Sequence, residues 1–166
     1  MTLSNPDGGN NANTYTGKTF VGYNSQGAES SPVNIYFGKD GALGSTIGTE
    51  QLQIAAQSAV HFGGENDNEA YTQTVRGLSG SGLLHLGTQA TLTLNQSSSD
   101  TGLVPDGAGQ IIISNRYAGS GTYNAANGSY SGSVFNVNLS DKVAGYELVF
   151  TDTASDYTGL INLTNA

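Results

Sequence analysis

The chain alternates apolar and polar residues in short bursts. In "ATLTLNQ" (90–96), Leu92 and Leu94 fall on one side and Thr91, Thr93 and Asn95 on the other. That period of two marks a half-buried strand. Further strand candidates are "KTFVGY" (18–23), "VNIYFG" (33–38), "EQLQIA" (50–55), "SAVHFG" (58–63), "TQTVRG" (72–77), "GLLHLG" (82–87), "QIIIS" (110–114), "SVFNVNL" (133–139), "YELVFT" (146–151) and "GLINLT" (159–164). Gly, Asn, Asp and Ser punctuate between them, as turns require. No segment keeps an apolar 3.6-residue period for the roughly 10–12 residues that a helix wants. The nearest, "QLQIAAQSAV" (51–60), reads as two short strands. The pattern predicts an all-β chain.

The apolar side chains are few per strand and medium-sized, and there is no Trp. A globular sandwich normally wants a larger aromatic anchor. A narrow core of stacked Leu, Ile and Val suits a β-solenoid, in which each coil buries a few side chains against its neighbours. A recurring phrase supports repetition: "NTYTGKTFV" (13–21), "GSYSGSVFNV" (128–137) and "SDYTGLINL" (155–163). In a solenoid, Tyr15, Tyr130 and Tyr157 would cap a corner. Gly17, Gly132 and Gly159 would allow the turn, being free to take positive φ. Thr19 and Val21, or Ile161 and Leu163, would then face the core. Asn136 stands where Val21 and Leu163 stand, so the middle copy breaks register. The spacing of these phrases is compatible with about six or seven coils of roughly 20–27 residues.

Composition narrows the partners. The 166 residues carry a net charge of −8, with five cations (Lys18, Lys39, Arg76, Arg116 and Lys142) spread along the chain. Phosphate backbones and anionic membrane surfaces are bound by grouped Lys and Arg, so both are disfavoured as partners. No run approaches the roughly 20 apolar residues of a membrane span, so direct membrane insertion is not expected. With 24 Gly, 11% charged residues and many Thr, the chain fits β-structure with tight turns better than disorder. Cysteine is absent, which removes disulfide and thiol chemistry and favours export.

Candidate chemistry is sparse. His61 and His85 lie in strand patterns with no further ligand at a recognisable spacing, so each is expected to be an ordinary strand histidine. "GLSGSG" (77–82) lacks the final Gly of a nucleophile elbow, and the Gly-rich pieces lack the Lys of a phosphate loop. No catalytic residue and no cofactor site are expected. In "ENDNE" (65–69), Glu65, Asp67 and Glu69 alternate and would share a face if extended, which makes them a Ca²⁺ candidate. The plainer reading is a solvated acidic loop. Thr-x-Thr is clear in "TLTL" (91–94), with no second copy expected in register.

Four of these pieces, in order, resemble a known family: "NTYTGKTFV", "GKDGALGST" (38–46), "AVHFGG" (59–64) and "LSGSGLLHLGTQATLTL" (78–94). The chain resembles the autotransporter-associated β-strand repeat of bacterial autotransporter passengers. The resemblance covers residues 13–94 and returns in "SYSGSVFNV" and "SDYTGLINL". It implies a right-handed parallel β-helix on the surface of a Gram-negative cell, acting in adhesion, self-association or biofilm formation. The partner would be a second copy on a neighbouring cell, or a protein or glycan ligand. The signal peptide and the outer-membrane translocator barrel would lie outside this chain. The expected organisation is an N-terminal cap or boundary (1–12), solenoid repeats (13–99), an irregular loop-rich insertion (100–128) and further repeats (129–166). A non-binding spacer of a larger surface protein and a trimeric phage or fibre β-protein are the alternatives.

Overall fold

The computed structural model describes residues 2–3, 17–44, 51–95, 110–138, 147–152 and 156–164. Among these every regular element is a strand. Most lie in three parallel sheets. The first joins β2 (Lys18–Val21), β4 (Gln51–Ile54) and β7 (Leu78–Gly80). The second stacks β1 (Thr2–Leu3), β3 (Asn34–Phe37), β5 (Ala59–His61), β8 (Leu83–His85), β11 (Arg116–Gly119) and β16 (Asp156–Tyr157). The third stacks β6 (Thr72–Val75), β9 (Thr91–Asn95), β14 (Val134–Asn138) and β17 (Leu160–Thr164). A separate parallel pair joins β10 (Gln110–Ile113) to β15 (Glu147–Phe150).

The order along the chain is rotational. β4, β5 and β6 enter the three sheets in turn, and β7, β8 and β9 follow in the same sequence. β10, β11 and β14, then β15, β16 and β17, follow the same order, with the separate β10–β15 pair in place of the first sheet. Parallel neighbours need long crossovers, and here each crossover is made of strands of the other sheets. Between β7 and β10 side chains take over from the backbone ladder: Ser114 Oγ donates to Gly80 O at 2.7 Å, and Asn115 Nδ2 to Ser79 O at 3.0 Å.

In-register pairing turns the period of two into columns. Ile35, Val60 and Leu84 stack in the second sheet, and Leu92, Phe135 and Ile161 in the third. Leu52, Ile54, Val60, Leu84, Leu92, Leu94 and Phe135 are fully buried. Val21 joins this core as expected. Leu163 occupies the core-facing column behind Leu94 and Val137 but is 56% exposed, because no described strand stacks beyond β17. The aliphatic column predicted for the core holds in the middle. Aromatic pairs fill it on either side, with Phe37 against Phe62 at 4.9 Å and Tyr117 against Phe150 at 5.6 Å.

One core position is polar. Gln73 stands beside Leu92 in the third sheet and is 2% exposed. It lies on β6, the edge strand of that sheet, where segment 40–44 passes instead of another strand. Its Oε1 accepts Leu43 N–H at 2.9 Å and its Nε2 donates to Gly44 O at 3.0 Å. The amide thus replaces ladder hydrogen bonds that the edge would otherwise lack. Gln73→Leu is expected to lower the unfolding free energy by about 2–3 kcal/mol in guanidinium melts, because two buried backbone groups lose their partners.

The expected insertion at 100–128 needs correction. Residues 100–109 lie outside the described residues. Residues 110–113 and 116–119 are strands of the parallel sheets, held by Ile113 in the core and Tyr117 packed against it. The projecting part is the antiparallel hairpin of β12 (Gly121–Asn124) and β13 (Ser129–Gly132), which leaves the stack after β11 and returns at β14. Alternation alone does not reveal it, since neither hairpin strand has an apolar face.

Candidate functional site

His61 ends β5 and His85 ends β8, and the register places them side by side. Their rings stack at 5.0 Å between centroids with 21° between planes. Tyr36, one strand earlier in the same row, stacks on His61 at 4.5 Å and 23°. Strand spacing near 4.8 Å brings successive rings of a row in register within stacking distance.

Asp67 comes to this row from the turn after β5. It has φ 53°, a left-handed conformation that Asp tolerates better than most residues. Its carbonyl accepts Thr88 N–H at 2.9 Å, and the next residue's carbonyl accepts Gln89 Nε2 at 3.0 Å. Gly63 and Gly87 press on its backbone so closely that an added Cβ would stand 2.9 and 2.1 Å away. Held there, Asp67 Oδ1 lies 2.9 Å from His61 Nδ1 and 3.1 Å from His85 Nδ1, with Oδ2 3.1 Å from His61 Nδ1. His85 Nδ1 also accepts Gly87 N–H at 3.2 Å. Burial lowers the His85 pKa from its usual 6.5, with the Asp67 charge opposing and His61 adding to the shift. The three side chains are half-buried: 15% exposed for His61, 28% for His85 and 26% for Asp67.

The arrangement corrects two expectations. The histidines do have partners: each other and a carboxylate. Glu65, Asp67 and Glu69 do not line one face of an extended strand, because residues 62–67 form a turn. Asp67 points to the histidines, while Glu65 and Glu69 are solvent-exposed. A signal for the site did exist in the aligned phrases "AVHFGG" and "LLHLGT", each with His two residues before Gly.

A second feature runs along the outer face of the third sheet. Thr74, Thr93, Asn136 and Asn162 form one row in register. Asn162 Nδ2 donates to Asn136 Oδ1 at 2.9 Å, and Asn136 Nδ2 to Thr93 Oγ1 at 3.3 Å. In the next row Asn138 Nδ2 donates to Asn95 Oδ1 at 3.0 Å. Thr-x-Thr is also repeated in register, contrary to expectation, as Thr72 and Thr74 pair with Thr91 and Thr93. A shallow hydroxyl-lined groove of about 420 Å³ lies among Thr88, Gln89, Ser120, Gly121, Thr122 and Ser131.

The Tyr-x-Gly phrase acts through its hydroxyl. Tyr130 OH donates to Ser133 O, and Tyr157 OH to Leu160 O at 2.9 Å, three residues on in each case. The ring folds over the intervening glycine. An added Cβ at Gly159 would sit 2.4 Å from the Tyr157 ring, and one at Gly132 2.7 Å from Tyr130 Oη. The two corners also meet, since Tyr130 OH accepts Leu160 N–H at 3.0 Å and Tyr157 OH reaches Ser133 O at 3.2 Å. Tyr130 belongs to the hairpin, so the middle copy is out of register, as Asn136 predicted. Tyr15 lies outside the described residues, while Gly17 precedes β2.

Burial pushes the Tyr157 phenol up to about 12, above its usual 10. The folded state therefore holds this proton more tightly than the unfolded chain. The resulting stability is fully present below pH 10 and is lost as pH rises from 10 toward 12. Tyr157→Phe is expected to flatten that part of the stability–pH curve in denaturant melts, and an unchanged slope would refute this role.

No protein-family model, no curated protein and no solved structure matches the chain.

Proposed function

We propose that this chain is a stretch of right-handed parallel β-helix from the passenger of a Gram-negative autotransporter, and that it acts in adhesion or self-association at the cell surface. The observation that carries the reading is the outward Thr/Asn ladder on the third sheet, with its side-chain hydrogen bonds between successive strands. Rotation of the strands through three parallel sheets supports the helical architecture. The ladder is uncharged, so two copies can approach on this face without direct charge repulsion. Its amide and hydroxyl groups are hydrogen-bond donors and acceptors of the kind a polar partner can meet. Each contact is weak, and many copies on one surface sum them by avidity.

Sedimentation velocity over a hundredfold concentration range tests the reading. Reversible dimers or larger species are expected. The double variant Asn136→Asp, Asn162→Asp places like charges on both rods and is expected to weaken association at least tenfold. A rod that stays monomeric at every concentration sinks self-association and favours the spacer. A trimer that survives dilution favours the fibre protein.

A further inference from the structure

We infer that His61, Asp67 and His85 form a binding site for one divalent transition-metal ion of the zinc, nickel or copper(II) class. This site stands apart from the self-association reading, because none of its residues belongs to the Thr/Asn ladder.

The donor atoms converge. One nitrogen from each imidazole and the Asp67 carboxylate lie within 4.8 Å of one another. Both histidines offer the same atom, Nδ1, to the same carboxylate oxygen. Ligands about 2.0–2.2 Å from a metal stand roughly 2.9–3.4 Å from each other in octahedral or tetrahedral geometry. The observed 2.9 and 3.1 Å between each Nδ1 and the carboxylate fall in that range. The two Nδ1 atoms lie within 4.8 Å of each other, and the stacked rings must turn toward one another for one ion to lie in both ring planes. Hydrogen bonding alone serves the group less well. His61 Nδ1 can donate a proton to Asp67. His85 Nδ1 already accepts from Gly87 N–H, and in that neutral form its lone pair faces the carboxylate oxygen at 3.1 Å. A cation between these atoms takes the His85 lone pair in place of the long Gly87 N–H bond and turns an acceptor–acceptor contact into two coordinate bonds.

The donor set selects the ion. Two imidazole nitrogens with one carboxylate suit borderline metals, whereas Ca²⁺ and Mg²⁺ prefer all-oxygen sites. The support is partly preorganised: strand register sets the two histidines side by side, and the packed turn backbone fixes Asp67. Partial exposure leaves an open coordination position for water or for a donor from another molecule. The ligands come from two successive strands of the second sheet and the turn between them. A bound ion would therefore staple adjacent circuits and stabilise only the folded chain.

Isothermal titration of the full chain with ZnCl₂ and CaCl₂, after EDTA treatment and dialysis, tests this. One equivalent of Zn²⁺ is expected to bind, with Ca²⁺ failing to compete, and the melting temperature is expected to rise by several degrees. Asp67→Asn keeps the left-handed backbone and the side-chain volume, and His85→Gln keeps the strand. Each is expected to weaken Zn²⁺ binding at least tenfold with an unchanged circular dichroism spectrum, while Glu65→Gln with Glu69→Gln leaves it unaltered. Imidazole ¹⁵N spectra of the wild type need no variant: Zn²⁺ should shift Nδ1 of both histidines and leave Nε2 protonated. The proposal is overturned if Zn²⁺ does not saturate at one equivalent, if Asp67→Asn binds as tightly as wild type, or if the Nδ1 resonances do not move.

Discussion

Alanine at position 87 is expected to destabilise the chain by about 3 kcal/mol or more and to displace Asp67 from its histidines. Two costs combine. Gly87 has φ +62°, a conformation costing an L-residue about 1–2 kcal/mol. The new Cβ would also stand 2.1 Å from the Asp67 carbonyl oxygen, which is backbone and cannot rotate away. Relief requires the 63–67 turn to lift from the 86–88 turn, breaking the Thr88 N–H to Asp67 O bond. Gly27→Ala is the control. Gly27 also has positive φ, +79°, but nothing lies within 4 Å of its added Cβ. Only the conformational cost of about 1 kcal/mol is expected there. Guanidinium melts of both variants check the difference, and equal losses would show that the packed turn contributes nothing.

Phe135→Ala is expected to cost about 3–5 kcal/mol. Its ring is fully buried between Leu92 and Ile161 of neighbouring strands and packs against Tyr117 at 6.4 Å and Phe150 at 6.3 Å. Leu92 and Ile161 are held in the sheet of Phe135, while Tyr117 and Phe150 come from two other sheets, so these walls cannot collapse together into the void and the cavity term adds to the lost burial. Phe20, 55% exposed on β2, is the comparison: Phe20→Ala should stay within about 0.5 kcal/mol of wild type. Similar losses for the two would mean that the core does not run through position 135.

The strands were legible where alternation was strong. Leu92 and Leu94 against Thr91 and Thr93 announce β9, and the buried and outward rows follow that division. "QLQIAAQSAV" resolves into β4 and β5 because Ser58 breaks its pattern at the corner, where it is buried and its Oγ accepts Val33 N–H at 3.0 Å. β7 and β11 were not legible. "LSG" and "RYAG" carry little pattern of their own, and they become strands by pairing with β4 and β8. The site was hidden for the same reason. His61 and His85 are distant in sequence and touch only once the register is known. Asp67 looked like one member of an alternating acidic row because left-handed backbone at a non-glycine leaves no mark in composition. The Tyr-x-Gly phrase was legible as a corner, but its mechanism was not: Gly159 does not take the expected positive φ and instead leaves room for the Tyr157 ring, whose hydroxyl bridges to the residue three positions on.

Register is the central claim, since the core columns, the Thr/Asn ladder and the histidine site all follow from it. The chain has only two histidines, so a cross-peak between histidine rings can come only from this pair, and the His85→Gln variant tells the two apart. The most direct measurement is a nuclear Overhauser spectrum of the aromatic region at neutral pH. Cross-peaks between the His61 and His85 rings, and between His61 and Tyr36, are the predicted result. Well-resolved histidine signals with no cross-peak between the two rings would contradict the stacking of β5 on β8, and with it the account of both fold and site.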